Sequence, residues 1–201
     1  AGVVVVGRSS GGGPVLWDRD LLALDVVLPR AHRLSVRDVV LAYRWLGEAI
    51  ADALRSRGVG DVEVIGVERA REAVPGGAAD ACFGGLSPFE VLAGGRKVVG
   101  LSQTRRRTGT LLQAGLPLRL DAEGLARMMG RDAAFARALA ATAAGIGEVA
   151  PDLTPADLVA AVDAAIARRC DAVLEPSEPS AAERAAIDGR RTGMPAHRDP
   201  H

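Results

Sequence analysis

FEVLAGGRKVVGLSQ, residues 89–103, carries the strongest topological signal in the sequence. Two apolar, strand-like runs flank Gly94-Gly95, a pair suited to the positive φ angles of a tight hairpin turn. The hairpin places Lys97 at the beginning of its second strand. Lys97 is the only lysine; of 25 basic residues the remainder are arginine, and asparagine is absent. A chain that solubilises its surface with arginine and keeps one ammonium points to a place that needs a compact charge. Such a place is a site beside a carbonyl, a phosphate or a thiolate.

Working outward, Arg105–Arg107 reads as a solvated turn and 110–120 as a further strand, with Pro117 suggesting an edge or a bulge. Upstream, Val62–Val67 and Leu21–Pro29 read as strands, and Val3–Val6 as a short buried one. Between them Ser35-Val-Arg-Asp38 has the form of a capping box. The apolar positions Val39, Val40, Tyr43, Leu46, Ile50 and Leu54 continue a helix that Gly58 ends. Glu68 to Gly85 is expected to be loop. Helices are predicted over 122–129, 132–144 and 155–169, the last capped by Thr154 with Pro155 and Asp157 behind it. The fold class is therefore α+β, a mixed or antiparallel sheet packed with helices. One domain spans 1–174; the Pro-, Ser- and charge-rich tail 175–201 has room for one short helix, and GMPAHRDPH at its end is expected to be loose.

Composition excludes several classes. Formal net charge is zero, so no electrostatic footprint for nucleic acid or an anionic membrane exists. No apolar run nears the ~20 residues of a membrane helix. Two distant cysteines, Cys82 and Cys170, make no disulfide framework and fit a reducing cytoplasm. The sequence opens at Ala1 directly into an apolar run, without a Met, which suggests a fragment lacking N-terminal residues.

Three features could carry chemistry. Gly7-Arg8-Ser9-Ser10-Gly11-Gly12-Gly13 lies between two strands; it is either a flexible loop or a nest whose N–H groups approach an anion, with Arg8 adding a charged fork. Its spacing matches neither a P-loop nor a dinucleotide fingerprint. Cys82, in DACFGG, is either a small buried hydrophobe or a loop thiolate favoured by a nearby cation. Lys97 is the third. Cys170, on a helix, reads as structural. His32, His197 and His201 form no pair with Ser or Cys, and metal-ligand spacing is absent.

GRSSGGGPVLWD (7–18) and ACFGGLSPFEVLAGGRKVVGLSQTRRRTGTLLQAGLPLRLD (81–121), in this order, resemble the lipoate–protein ligase and octanoyltransferase family, which is related to biotin–protein ligases. The resemblance covers about residues 1 to 145. It implies a biotin/lipoate ligase-like catalytic domain in which the glycine loop and Lys97 line the acyl pocket. It also implies substrate-binding roles for Arg8, Ser10, Gly11, Gly12, Gly13, Val15, Val99, Gly100, Gln103 and Arg105, with Leu101 beside them. Cys82 resembles the cysteine of the transferase branch, whereas ligases generally lack one there. The implied reaction moves an octanoyl or lipoyl group through a Cys82 acyl-enzyme to a carrier lysine, with no cofactor and no metal. Lys97 would then lower the thiol pKa and stabilise the oxyanion. Carriers would be the glycine cleavage H protein, a 2-oxoacid dehydrogenase (E2) lipoyl domain, or acyl carrier protein, and the enzyme a monomer. Two alternatives remain: a ligase that uses ATP and Mg through lipoyl-AMP, and a silent relative that only binds acyl groups or carriers. The chain departs from the family at Gly7, Leu16-Trp17 and Gln113-Ala114-Gly115, and those departures touch the ATP-dependent reading most. A straight strand over 83–93 would hold Cys82 about 30 Å from the turn, so the loop at Gly84-Gly85 must fold back.

Overall fold

The computed structural model describes residues 4–8, 10–73 and 76–191. Val3, Ser9, His197, His201 and the segment 193–201 lie outside the described residues. Residues 10–172 form one compact unit, and the described residues 4–8 group with 173–191 in a second.

Five antiparallel strands form the sheet of the larger unit: β1 (Leu21–Pro29), β2 (Val62–Val64), β3 (Val91–Ala93), β4 (Arg96–Arg105) and β5 (Gly109–Pro117), in the order β1-β5-β4-β3-β2. The β3–β4 turn is Gly94-Gly95, with φ of 54° and 76°, so the hairpin forms where the glycine pair predicts it. Its register slips between Val91 and Leu92: Val91 faces Val99 but Leu92 faces Lys97. The extra residue, Val98, makes a bulge, a device that re-aims neighbouring side chains. Pro117 marks no edge. β5 lies between β1 and β4, and proline is tolerated because it is the last residue of the strand.

Helix α1 (Arg44–Ser56) begins later than the spacing predicts. Asp38 Oδ1 accepts from the N–H of Val40 (2.7 Å) and Leu41 (2.9 Å), and a single 3₁₀ turn, Leu41–Tyr43, leads into the helix. Ser35 instead approaches the Thr110 hydroxyl, 3.5 Å away. The acid of the expected box is thus itself the cap. Gly58, at φ 77°, ends the run as expected. α2 (Val67–Glu72) occupies the beginning of the segment expected as loop. α3 (Ala122–Met128), α4 (Ala133–Thr142) and α6 (Pro155–Cys170) fall where predicted, with the short α5 (Ile146–Val149) between them. Thr154 caps α6 by accepting from Asp157 N–H at 3.1 Å.

Two apolar clusters follow from this layout. The larger joins α1 and α6 to the sheet through Leu46, Ile50, Leu54, Val99, Leu112, Leu116, Leu158 and Ile166. The smaller joins α3 and α4 to the turns around Ala78–Phe83.

In the terminal unit, α7 (Ala181–Arg191) starts with a box of its own: Ser180 N–H donates to Glu183 (2.7 Å) and Glu183 N–H to the Ser180 hydroxyl (3.2 Å). Val4, Val5 and Val6 are exposed and belong to no strand of the five-stranded sheet, so the described part of the expected strand is not buried. β-branched residues favour a strand only where a neighbour completes the ladder and a core receives one face. Among the described residues no helix is long and apolar enough to cross a membrane.

Candidate functional site

The glycine loop and the cysteine loop are locked together before any side chain is considered. Cys82 N–H donates to Pro14 O at 3.1 Å. A Cβ on Gly13 would lie 2.0 Å from Asp80 O, and one on Gly84 would lie 1.7 Å from Ala78 O. Both positions therefore require glycine for close backbone approach. The turns over 76–85, closed by Ala81 N–H to Ala78 O and Gly84 N–H to Ala81 O, fold the chain back onto β4, as the spacing between Cys82 and Lys97 demands.

The result is a cleft of about 580 Å³ lined by Gly11–Gly13, Val39, Val40, Tyr43, Cys82, Glu90, Lys97, Leu101 and Gln103. At its floor Lys97 is 1% exposed. It donates to the carbonyls of Cys82 (2.8 Å) and Gly85 (2.9 Å), and lies 2.8 Å from Glu90 Oε1. The Phe83 ring covers it at 5.5 Å. Three acceptors converge on one nitrogen that has three N–H bonds. A planar guanidinium spreads its donors over three nitrogens and cannot serve such a point. Convergence gives the physical reason for one lysine in an arginine chain. The contact of Lys97 with the main-chain oxygen of Cys82 is one that the sequence did not announce.

Glu90 is the partner that sequence reasoning missed. It is 3% exposed, accepts from Ser87 N–H (2.7 Å) and Leu101 N–H (3.2 Å), and pairs with Lys97. Burial pushes its carboxyl above the ordinary range, while Lys97 and the two N–H donors pull it back in part. The available signal was a lone acid inside the apolar run FEVLA, where a solvated carboxylate has no place. Tyr43 was read only as a core position, yet it lines the cleft. Burial raises its pKa, the Glu90 charge adds to that, and a hydrogen bond with Gln103 opposes it.

The other expected residues divide. Gln103 Nε2 donates to Val39 O, and Arg105 donates to Gln103 Oε1 (2.8 Å), Arg37 O (3.0 Å) and Asp38 O (3.2 Å). Together they tie the segment 37–39, whose Val39 lines the cleft, to β4. Ser10 is buried beside the glycines, and Gly100 packs under Phe83 and the Lys97 stem. Val99 does not face the cleft; it is fully buried in the main core opposite Val91, because the bulge at Val98 aims it there. Val15 lines a separate depression with Phe83, Leu21 and Leu120. Arg8 is exposed and belongs to the terminal unit. Cys170 ends α6, packs against the main core, and its carbonyl accepts from Arg33. Among the described residues no cluster of His, Cys, Asp and Glu could hold a metal.

Comparison with known proteins agrees with this architecture. Residues 1–167 match the family described as the lipoyl protein ligase A/B catalytic domain. The octanoyltransferase LipM of Kyrpidia tusciae is 35% identical over 121 residues, and that of Bacillus subtilis 34% over 122, in each case 60% of this chain. Each match covers 43% of the relative, so the chain spans under half the length of the curated relatives it matches. A lipoate-protein ligase A bound with ATP superposes with a TM-score of 0.69 at 17% identity, over 92% of this chain and 66% of that one. A bipartite lipoate protein ligase from Thermoplasma acidophilum gives 0.70 at 17%, over 92% and 64%. At that identity the likeness is one of fold.

Proposed function

The chain belongs to the lipoyl protein ligase A/B catalytic-domain family, and from that premise we propose that it transfers an octanoyl or lipoyl group to the lysine of a lipoyl carrier domain through an acyl thioester on Cys82. The observation that carries the reading is the meeting of Cys82, the glycine loop and Lys97 around one cleft. The names of the octanoyltransferase relatives support it.

In the first step the Cys82 sulfur attacks the carbonyl of a carrier-bound acyl thioester. A new S–C bond forms, the carrier thiol leaves, and the Cys82 proton ends on that thiol. In the second, an acceptor lysine amine attacks the acyl-enzyme; the amide forms, Cys82 leaves as thiolate, and the amine proton returns to it. The thioester supplies the driving force, so no nucleotide or metal enters. The Gly11–Gly13 main chain lines the cleft and belongs to the class of loop that supplies oxyanion-binding N–H groups. Lys97 holds the main chain of the nucleophile through its bond to the Cys82 carbonyl. Leu101, Val39 and Val40 give the cleft an apolar side for an acyl chain.

The test is incubation with an octanoyl carrier protein, followed by intact mass of this chain. One octanoyl adduct, absent in Cys82→Ala, supports the transferase. ATP- and Mg-dependent formation of an acyl-adenylate that survives Cys82→Ala would assign a ligase, and no adduct with no ATP turnover a silent binder.

A further inference from the structure

Acyl transfer as written gives no task to the buried carboxyl of Glu90, yet the chain takes trouble to place it. Phe89 stands at φ 67°, a left-handed conformation that a bulky side chain rarely adopts. It is held there from both sides: Phe89 N–H donates to Ile65 O at 2.7 Å, and Ile65 N–H to Glu90 O at 2.9 Å. On α1, Gly47 makes room, since a Cβ there would meet Phe89 O at 2.0 Å. The strained turn aims Glu90 inward, where both carboxylate oxygens are occupied: Oε2 by Ser87 N–H, Oε1 by Leu101 N–H and Lys97. The ammonium then reaches Cys82 O and Gly85 O. These contacts form one chain of hydrogen bonds from β4 to the loop that bears the thiol.

We propose that Glu90 is a positioning residue for Cys82: its carboxylate anchors the Lys97 ammonium, and the anchored ammonium holds the Cys82–Gly85 main chain against the cleft. The proposal relies on the acyl-transfer reading for what the thiol does, not for where it is held. Without the carboxylate, a buried ammonium would lose its counter-charge and the loop its tether. The charged and titratable groups facing Glu90 are Lys97 from β4 and Tyr43 from the turn before α1; Arg105, farther along β4, acts on Tyr43. Because burial raises the Glu90 pKa, protonation on the acid side releases the anchor at a higher pH than an ordinary carboxylate would.

The experiment compares the wild-type chain with Glu90→Gln and Glu90→Asp by amide hydrogen exchange, and by the pH dependence of Cys82 acylation from octanoyl carrier protein. In Glu90→Gln, exchange at residues 82–85 should accelerate by about tenfold or more while β4 and β5 stay protected. Acylation should fall by a similar factor. In the wild type, the log of the acylation rate should drop with a slope of one while only the thiol protonates. The slope should steepen above one through the Glu90 titration and return to one below it, leaving a step of about tenfold. Glu90→Gln should keep a slope of one throughout, and Glu90→Asp should recover the second step. Unchanged exchange in Glu90→Gln, with or without lost acylation, overturns the proposal. If Glu90→Gln does not fold, the wild type decides alone. Exchange at 82–85, corrected for intrinsic chemistry, must rise as pH falls through the Glu90 titration, and a flat profile contradicts the tether. If the wild type forms no acyl adduct, the transferase reading fails and the exchange data still judge Glu90.

Discussion

Two ion-paired regions of this molecule use similar charges to different ends. Between α1 and α6, Arg169 spans Glu48 (2.8 Å) and Asp52 (2.7 Å), with side chains 27–41% exposed. On the cleft floor, Lys97 meets Glu90 at the same 2.8 Å with side chains 2% and 4% exposed. The Coulomb contact is alike; the surroundings are not. Water already solvates the first set, so its net worth is about 0–1 kcal/mol. In the second, every polar atom must find a protein partner, and losing one leaves the other charge stranded. Arginine serves the first place and lysine the second, because one asks for reach and the other for three bonds at a single point.

The widest break in this contrast comes from Lys97→Met. Stranding Glu90 should cost about 3–5 kcal/mol in denaturant unfolding, and adding Glu90→Gln should recover a large part of it. Lys97→Arg, although charge-conserving, should also destabilise, since the fork cannot satisfy Cys82 O, Gly85 O and Glu90 together. Next is Gly84→Ala. Its Cβ would fall 1.7 Å from Ala78 O, so the cysteine loop must shift, at a cost of about 1–3 kcal/mol and with slower Cys82 acylation. Smallest is Arg169→Ala, expected to cost at most about 1 kcal/mol, and less at high salt. A cost near that of Lys97→Met would erase the distinction between the two regions.

The same contrast explains what could be read from sequence. Gly94-Gly95 announced its hairpin because a local backbone demand has a local residue signature. Thr154-Pro155 with Asp157 announced α6 for the same reason. The helix after Ser35 was misplaced because Ser35 and Asp38 both suit a cap, and Asp38 is the one that accepts the free N–H groups. Val4–Val6 have strand propensity, but propensity does not supply a core: all three are exposed. In the site, Cys82, Lys97 and the glycines were visible as residue types in motifs. Glu90 showed only as a lone acid in FEVLA; its role depends on a positive φ at Phe89, a bulge at Val98 and the contact of Gly47 with Phe89, which are set by tertiary pairing. Val99 was assigned to the cleft because a bulge shifts which residues of a strand face inward, and a bulge is set by pairing.

The central claim is that the thiol on this cleft carries the acyl group. Its most direct measurement is intact mass after exposure to octanoyl carrier protein without ATP, with peptide mapping of the product. One octanoyl group, mapped to Cys82, discharged by a lipoyl domain and absent from Cys82→Ala, is the expected result. An adduct that persists in Cys82→Ala, or transfer that requires ATP, would contradict it.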